Sequence, residues 1–195
     1  SELQFVQLMS LFEFPIQVGI LKNLMQYTDF DENQMLTDLE RKNILQHYQA
    51  NGEPVLNSSG MKKYIYSTIE NVSEMHGNIA FRLRENRANI SRTELSRQFE
   101  LAGLFDESYE ILKVEIESAE IQSAYSFQKQ MLLRLLEMPL NVSKINEIKF
   151  GLFKTLSKLN DYQAVIKLSE ELNTEDLSIE SKKQIGLLKA KALYG

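Results

Sequence analysis

The chain has 195 residues, 43% of them hydrophobic and 25% charged, which is ordinary for a folded protein and enough to bury a core. Eight Gly and three Pro are too few for a turn-rich sandwich or barrel, and the lack of Cys excludes disulfide scaffolds, thiolate zinc sites and cysteine nucleophiles. A net charge of −5 argues against general nucleic-acid binding, and no apolar run approaches the roughly 18 residues of a membrane helix: the best, Met131 to Leu140, is broken by Arg134 and Glu137.

The dominant period is helical. Phe5, Leu8, Met9 and Phe12 form one apolar stripe; Ile20, Leu21, Leu24 and Met25 form the next, with Pro15 suited to the first turn of that second helix. Residues 27–36 read as an acidic loop. Thr37-x-x-Glu40 reads as a capping box opening a helix through Leu39, Ile44, Leu45 and Tyr48, which Asn51-Gly52 ends. Met61, Tyr64, Ile65, Thr68, Ile69 and Val72 predict one amphipathic helix with a stop at His76-Gly77. Ser91-x-x-Glu94 is a second capping box, and Gly103 ends the helix that it opens.

Tyr109, Ile111, Leu112, Val114 and Ile116 belong to the next helix; residues 121–137 make another, stopped by Pro139. Asn141 or Ser143 caps a helix carrying Ile148, Leu152, Phe153 and Leu156. Asn160-Asp161 is a turn before Ala164, Val165, Leu168 and Leu172. Ser178 caps a last helix carrying Ile185, Leu188, Ala192 and Leu193. The pattern predicts ten to eleven helices and no strand, an all-α fold.

Four junctions between helices look alike: Leu11 to Gly19, Gln49 to Asn57, Leu101 to Tyr109, and Lys158 to Ile166. In the last three, Gly52, Gly103 or Asn160 is followed by Pro54, Phe105 or Tyr162 and then by Asn57, Ser108 or Val165. Gly and Asn accept the left-handed conformation that ends a helix, and a small residue lets two helices approach closely. These junctions resemble the turn of the tetratricopeptide repeat, though Glu13 and Val165 depart from its Gly and small positions and the spacings exceed the family period of about 34 residues.

The resemblance implies antiparallel helix pairs stacked as a short right-handed α-solenoid over 1–195. Approximate repeats fall at 1–27, 37–75, 90–118 and 143–172, with a partial one at 178–195, as expected of a fragment of a longer protein. It also implies a concave face, lined by first helices, that binds another protein or peptide. On this alignment that face carries Lys42, Gln46, Gln49, Thr93, Arg97, Phe150 and Lys154. Its cations suit an acidic partner; the family's carboxylate clamp is not reproduced. A regulatory or sensor module binding a small peptide is the alternative.

Arg82, Arg84, Arg87, Arg92 and Arg97 crowd one stretch, where Arg can grip carboxylates bidentately or simply keep a segment solvated. The first four are a secondary cationic contact. Asp29, Asp31, Asn33, Thr37 and Glu40 carry oxygen at the spacing of an EF-hand loop, which makes a calcium-responsive domain a third reading. Gln34 stands where the sharp turn requires Gly, however, so the residues read better as loop acids and a helix cap. His47 and His76 lack the spacing of a zinc pair, and no phosphate loop, dinucleotide fingerprint or nucleophile elbow appears. Neither an enzyme nor a cofactor is expected, and no compartment is indicated.

Overall fold

The computed structural model describes residues 2–25, 31–47, 53–86, 89–172 and 178–194. They form eleven helices and one two-stranded hairpin, divided between two compact units, Ser1–Leu104 and Phe105–Gly195. The fold class is all-α.

Unit 1 contains α1 (Glu2–Leu11), α2 (Val18–Met25), α3 (Glu32–Arg41), β1 (Leu45–His47), β2 (Pro54–Leu56), α4 (Ser59–Ser67), α5 (Val72–Glu85) and α6 (Arg92–Leu101). Helix α1 is central and packs on α2, α4 and β2; α2 meets α5, and α5 meets α6. Phe5, Leu11, Phe12 and Leu21 are wholly buried in this core. Each such side chain contributes about 1.5–3 kcal/mol relative to an exposed one.

Three expectations fail in unit 1. Helix α2 begins at Val18 rather than at Pro15. The helix expected from Thr37 begins earlier, at Glu32, because the Asp31 carboxylate accepts the Gln34 N–H as its cap. It also ends earlier. Asn43 adopts φ 58°, Asn43 N–H donates to the Glu40 carbonyl and Ile44 N–H donates to that of Leu39, closing a Schellman turn. Ile44 and Leu45 therefore leave the helix, and β1 pairs antiparallel with β2 in the register Leu45 to Leu56, Gln46 to Val55 and His47 to Pro54. Asn57 Nδ2 fastens the base of the hairpin by donating to Asn43 O at 2.9 Å.

The third failure is the single helix expected through Val72. Its apolar stripe is continuous, but Ser67 Oγ donates to the Tyr64 carbonyl at 2.7 Å and Thr68 Oγ1 to that of Ile65 at 2.6 Å. Hydroxyls thus take carbonyls that the next turn of helix would have used. Helix α5 then starts afresh and runs through His76-Gly77. A Cβ on Gly77 would touch the Ala102 Cβ at 3.5 Å, so the residue serves close helix packing rather than a stop.

Unit 2 is an unbroken series: α7 (Phe105–Ile121), α8 (Tyr125–Leu136), α9 (Val142–Lys158), α10 (Tyr162–Glu171) and α11 (Ile179–Tyr194), each packed on the next. Asn141 caps α9 and Ser178 caps α11, as expected. Leu112, Leu135, Phe153 and Val165 lie at the centre of its core. A Cβ on Gly151 would stand 3.3 Å from Leu132 Cδ2, so this glycine sets the close approach of α8 and α9.

Gly103, Ser123 and Asn160 repeat the turn seen at Asn43, each with φ between 57° and 75°. In each, the following N–H reaches back five residues to a helix carbonyl: Leu104 to Phe99, Ala124 to Ala119 and Asp161 to Leu156. The Ser123 and Asn160 turns also share a tyrosine two residues on. Tyr125 Oη lies 3.5 Å from Ser123 Oγ, and Tyr162 Oη donates to Asn160 Oδ1 at 3.1 Å. These turns are 37 residues apart and make α7–α8 and α9–α10 successive copies of one helix pair.

Candidate functional site

The first helices of these copies, α7 and α9, line an open groove of about 580 Å³ together with α8 and α11. Leu132, Leu135 and Ile148 provide an apolar floor; Phe150 and Leu188 add half-buried apolar walls. Two buried polar side chains interrupt the floor and are paired with each other. The Thr155 hydroxyl shares its proton between Gln128 Oε1 and the Gly151 carbonyl, both at 2.9 Å.

Near their N-terminal ends α7 and α9 are clamped through Glu147. Tyr109 Oη donates to Glu147 Oε2 at 2.9 Å, and Lys113 Nζ to Oε1 at 2.9 Å. Lys144 adds an ion pair with Asp106 at 2.8 Å, its ammonium 4.5 Å from the centre of the Tyr109 ring. Burial, then the Glu147 hydrogen bond, push the Tyr109 phenol up to about 12. The Lys113 hydrogen bond holds the Glu147 carboxyl below its ordinary value.

Further along the same helices the charges do not meet. Glu117 and Glu120 line the groove from α7, and Lys154 and Lys158 line it from α9. No ion pair joins them, and none of the four has an ion-pair partner among the described residues. Lys154 instead lies 5.4 Å from the centre of the Phe150 ring.

In unit 1 the polar side chains close on the backbone. Helix α1 carries no basic residue in its last turn, and its terminal carbonyls are capped from elsewhere in the unit. Arg97 Nη1 and Gln98 Nε2 donate to the Leu11 carbonyl at 3.2 and 3.1 Å, and Lys62 Nζ donates to the Phe12 carbonyl. Arg82 does the same for α2, reaching the Leu24 carbonyl at 2.7 Å. Positive charge at a helix C-terminus opposes the negative end of the helix dipole.

Behind Arg97 lies a buried chain of side chains. The Gln98 amide donates to Glu94 Oε1 at 2.7 Å, so its oxygen faces His76 Nδ1 at 2.6 Å as acceptor. That leaves His76 Nε2 to accept the Tyr66 hydroxyl at 3.1 Å. Burial lowers the His76 pKa and raises that of Glu94.

The residues expected on a concave face therefore have several fates. Phe150 and Lys154 come together in the unit 2 groove. Arg97 is held by the Leu11 carbonyl, by Glu94 at 3.2 Å and by Glu13 at 3.4 Å. Lys42 pairs with Glu2 at 2.7 Å, Gln46 is exposed on β1, and Thr93 is half-buried in the first turn of α6. Gln49 lies outside the described residues, as does Arg87. Of the remaining arginines, Arg84 lies 5.0 and 5.2 Å from the Phe81 and Phe99 ring centres, Arg82 caps α2, and Arg92 is exposed at the start of α6.

Asp29 of the EF-hand-like spacing is likewise outside the described residues. Asp31 caps α3, Thr37 donates to the Asn33 carbonyl at 2.8 Å, and Glu40 pairs with His47 at 2.8 Å. The alignment missed Glu117 and Glu120. The recurrence of a left-handed residue followed at two residues by Tyr, at Ser123 and Asn160, is the signal that could have found them.

Comparison with solved structures identifies the class. The fold is similar to that of a signal-transduction ATPase with numerous domains carrying a tetratricopeptide repeat sensor, from Pyrococcus horikoshii. The TM-score is 0.60 at 15% identity, over 98% of this chain and 28% of that one. The chain is thus a tetratricopeptide-like helical repeat in fold and spans little more than a quarter of that neighbour. Neither a protein-family model nor a curated protein sequence matches it.

Proposed function

We propose that the chain is a non-catalytic protein-interaction module that holds a peptide segment of a partner in the unit 2 groove. The observation that carries this reading is the groove itself: about 580 Å³ open to solvent, floored by Leu132, Leu135 and Ile148 and walled by the first helices of successive repeats. A rim of charged and aromatic side chains around an apolar floor is the composition of a recognition surface. On this reading Phe150 and Lys154 touch the partner.

A second reading is a sensor module, in which filling the groove changes the state of a larger protein. The sensor repeats named in the structural neighbour favour it.

A photo-crosslinking amino acid placed at position 150, and separately at position 163 outside the groove, tests the interaction. A partner captured in cells from position 150 alone, then purified and found to bind the chain more weakly after Lys154→Glu, supports the groove. Equal capture from both positions overturns it.

A further inference from the structure

The two walls of the groove carry opposite charges at matching places. Glu117 and Lys154 are 37 residues apart, the same interval that separates the Ser123 and Asn160 turns. Glu120 extends the acidic wall by one turn and Lys158 the basic wall. Exposed opposite charges gain only about 0–1 kcal/mol by pairing, so facing walls can hold them open to solvent and to a ligand. Here the clamp at Glu147 joins the helices at one end, while beyond it these four groups have no ion-pair partner among the described residues.

Resting on the groove reading above, we propose that the segment held there is bipolar. An acidic side chain faces Lys154 and Lys158, a basic one faces Glu117 and Glu120, and an apolar side chain between them sits on Leu132 and Ile148. A uniformly acidic segment would be attracted by α9 and repelled by α7, and a uniformly basic one the reverse. Only a segment with both signs, correctly oriented, gains on both walls. The groove therefore selects polarity along with composition, and net charge does not drive binding.

Selection of a random linear peptide library on the full chain tests this, followed by anisotropy of a fluorescein-labelled peptide of the selected sequence. Selected peptides should carry an acid and a base flanking an aliphatic or aromatic residue. Lys154→Glu and Glu117→Lys should each weaken binding about tenfold, since reversal adds repulsion to a lost contact. The double variant should regain affinity for the peptide with its acid and base exchanged. Affinity should fall with salt even for a net-neutral peptide.

Peptides of one sign only, or bipolar peptides indifferent to both reversals, overturn the proposal. A crosslinker at position 150 separates the two levels: crosslinking with no charge sensitivity removes the bipolar rule and keeps the groove. No crosslinking, or no selected peptide, removes both. Circular dichroism confirms folding of each variant, and Lys154→Gln with Lys158→Gln replaces any reversal that fails to fold.

Discussion

Gln98 is the residue whose loss should tell most about unit 1. It is wholly buried and makes three hydrogen bonds: it accepts from His76 Nδ1–H and donates to Leu11 O and Glu94 Oε1. Gln98→Leu removes all three at nearly constant volume. The Leu11 carbonyl and Glu94 Oε1 retain Arg97, but the His76 N–H is left without a partner. A buried unsatisfied donor costs about 1–3 kcal/mol, a bond to a carboxylate about 1.5–3, and a neutral bond about 1. The apolar side chain returns about 2 kcal/mol through burial.

The net is a destabilisation of about 3 kcal/mol, against a total of about 5–15 for a typical domain. Urea unfolding by circular dichroism should show it as a lower midpoint with an unchanged slope. Hydrogen exchange should place the lost protection in α5 and α6. Replacing both partners with apolar groups is far milder than replacing one. His76→Phe should therefore cost less in the Gln98→Leu background than in the parent, the remaining loss being the Tyr66 hydroxyl bond. Stability within about 0.5 kcal/mol of the parent, or strictly additive losses in the pair, would refute the network.

His76 is held below its ordinary pKa by burial, so the unfolded chain binds its proton more readily. That stability is complete above pH about 6.5 and is lost as the pH falls further, and His76→Phe should flatten the acid limb of a stability–pH curve. Glu94, raised by burial, acts in the opposite sense, losing stability as the pH rises through its folded value; Glu94→Gln should steepen the limb. Gly103→Val should cost about 1 kcal/mol or more in thermal melts, and Gly103→Asn less, because the position has φ 75° and a β-branched residue resists it. In Glu147→Gln, ultraviolet titration should find the Tyr109 phenol below its value of about 12 yet still above that of a free tyrosine, because burial remains.

Helix ends were legible in the sequence wherever the capping chemistry is local. Ser91, Asn141 and Ser178 cap as their spacing predicts, and Gly103 and Asn160 end helices in the left-handed region. Failures occur where side chains compete with the backbone inside a continuous apolar stripe. Nothing in the periodicity of Tyr64 to Val72 separates α4 from α5; two hydroxyls do. Ile44 and Leu45 fit a helical face equally well, and only the turn at Asn43 sends them into a hairpin.

The arginines were the hardest to read. Arg82 and Arg97 serve carbonyls 58 and 86 residues away, beyond the reach of any local pattern. Of the groove, Phe150 and Lys154 followed from the family alignment. Glu117 did not, because the Gly103 junction assigned α7 as a second helix.

The contrast between the two packing schemes bears on how each unit forms. In unit 2 every helix rests on its sequence neighbour, so ordering can spread helix by helix without closing a long loop. In unit 1, α1 cannot complete its core until α4 arrives, and its last carbonyl waits for Arg97 and Gln98, 86 and 87 residues downstream. On an emerging chain α1 therefore stays partly unsatisfied until α6 is made, and unit 1 should be the slower to reach its final packing. The same logic governs tolerance of growth. Another helix pair can be added to a sequential stack at the cost of one interface, whereas an insertion between α1 and α6 must leave all of those distant closures intact.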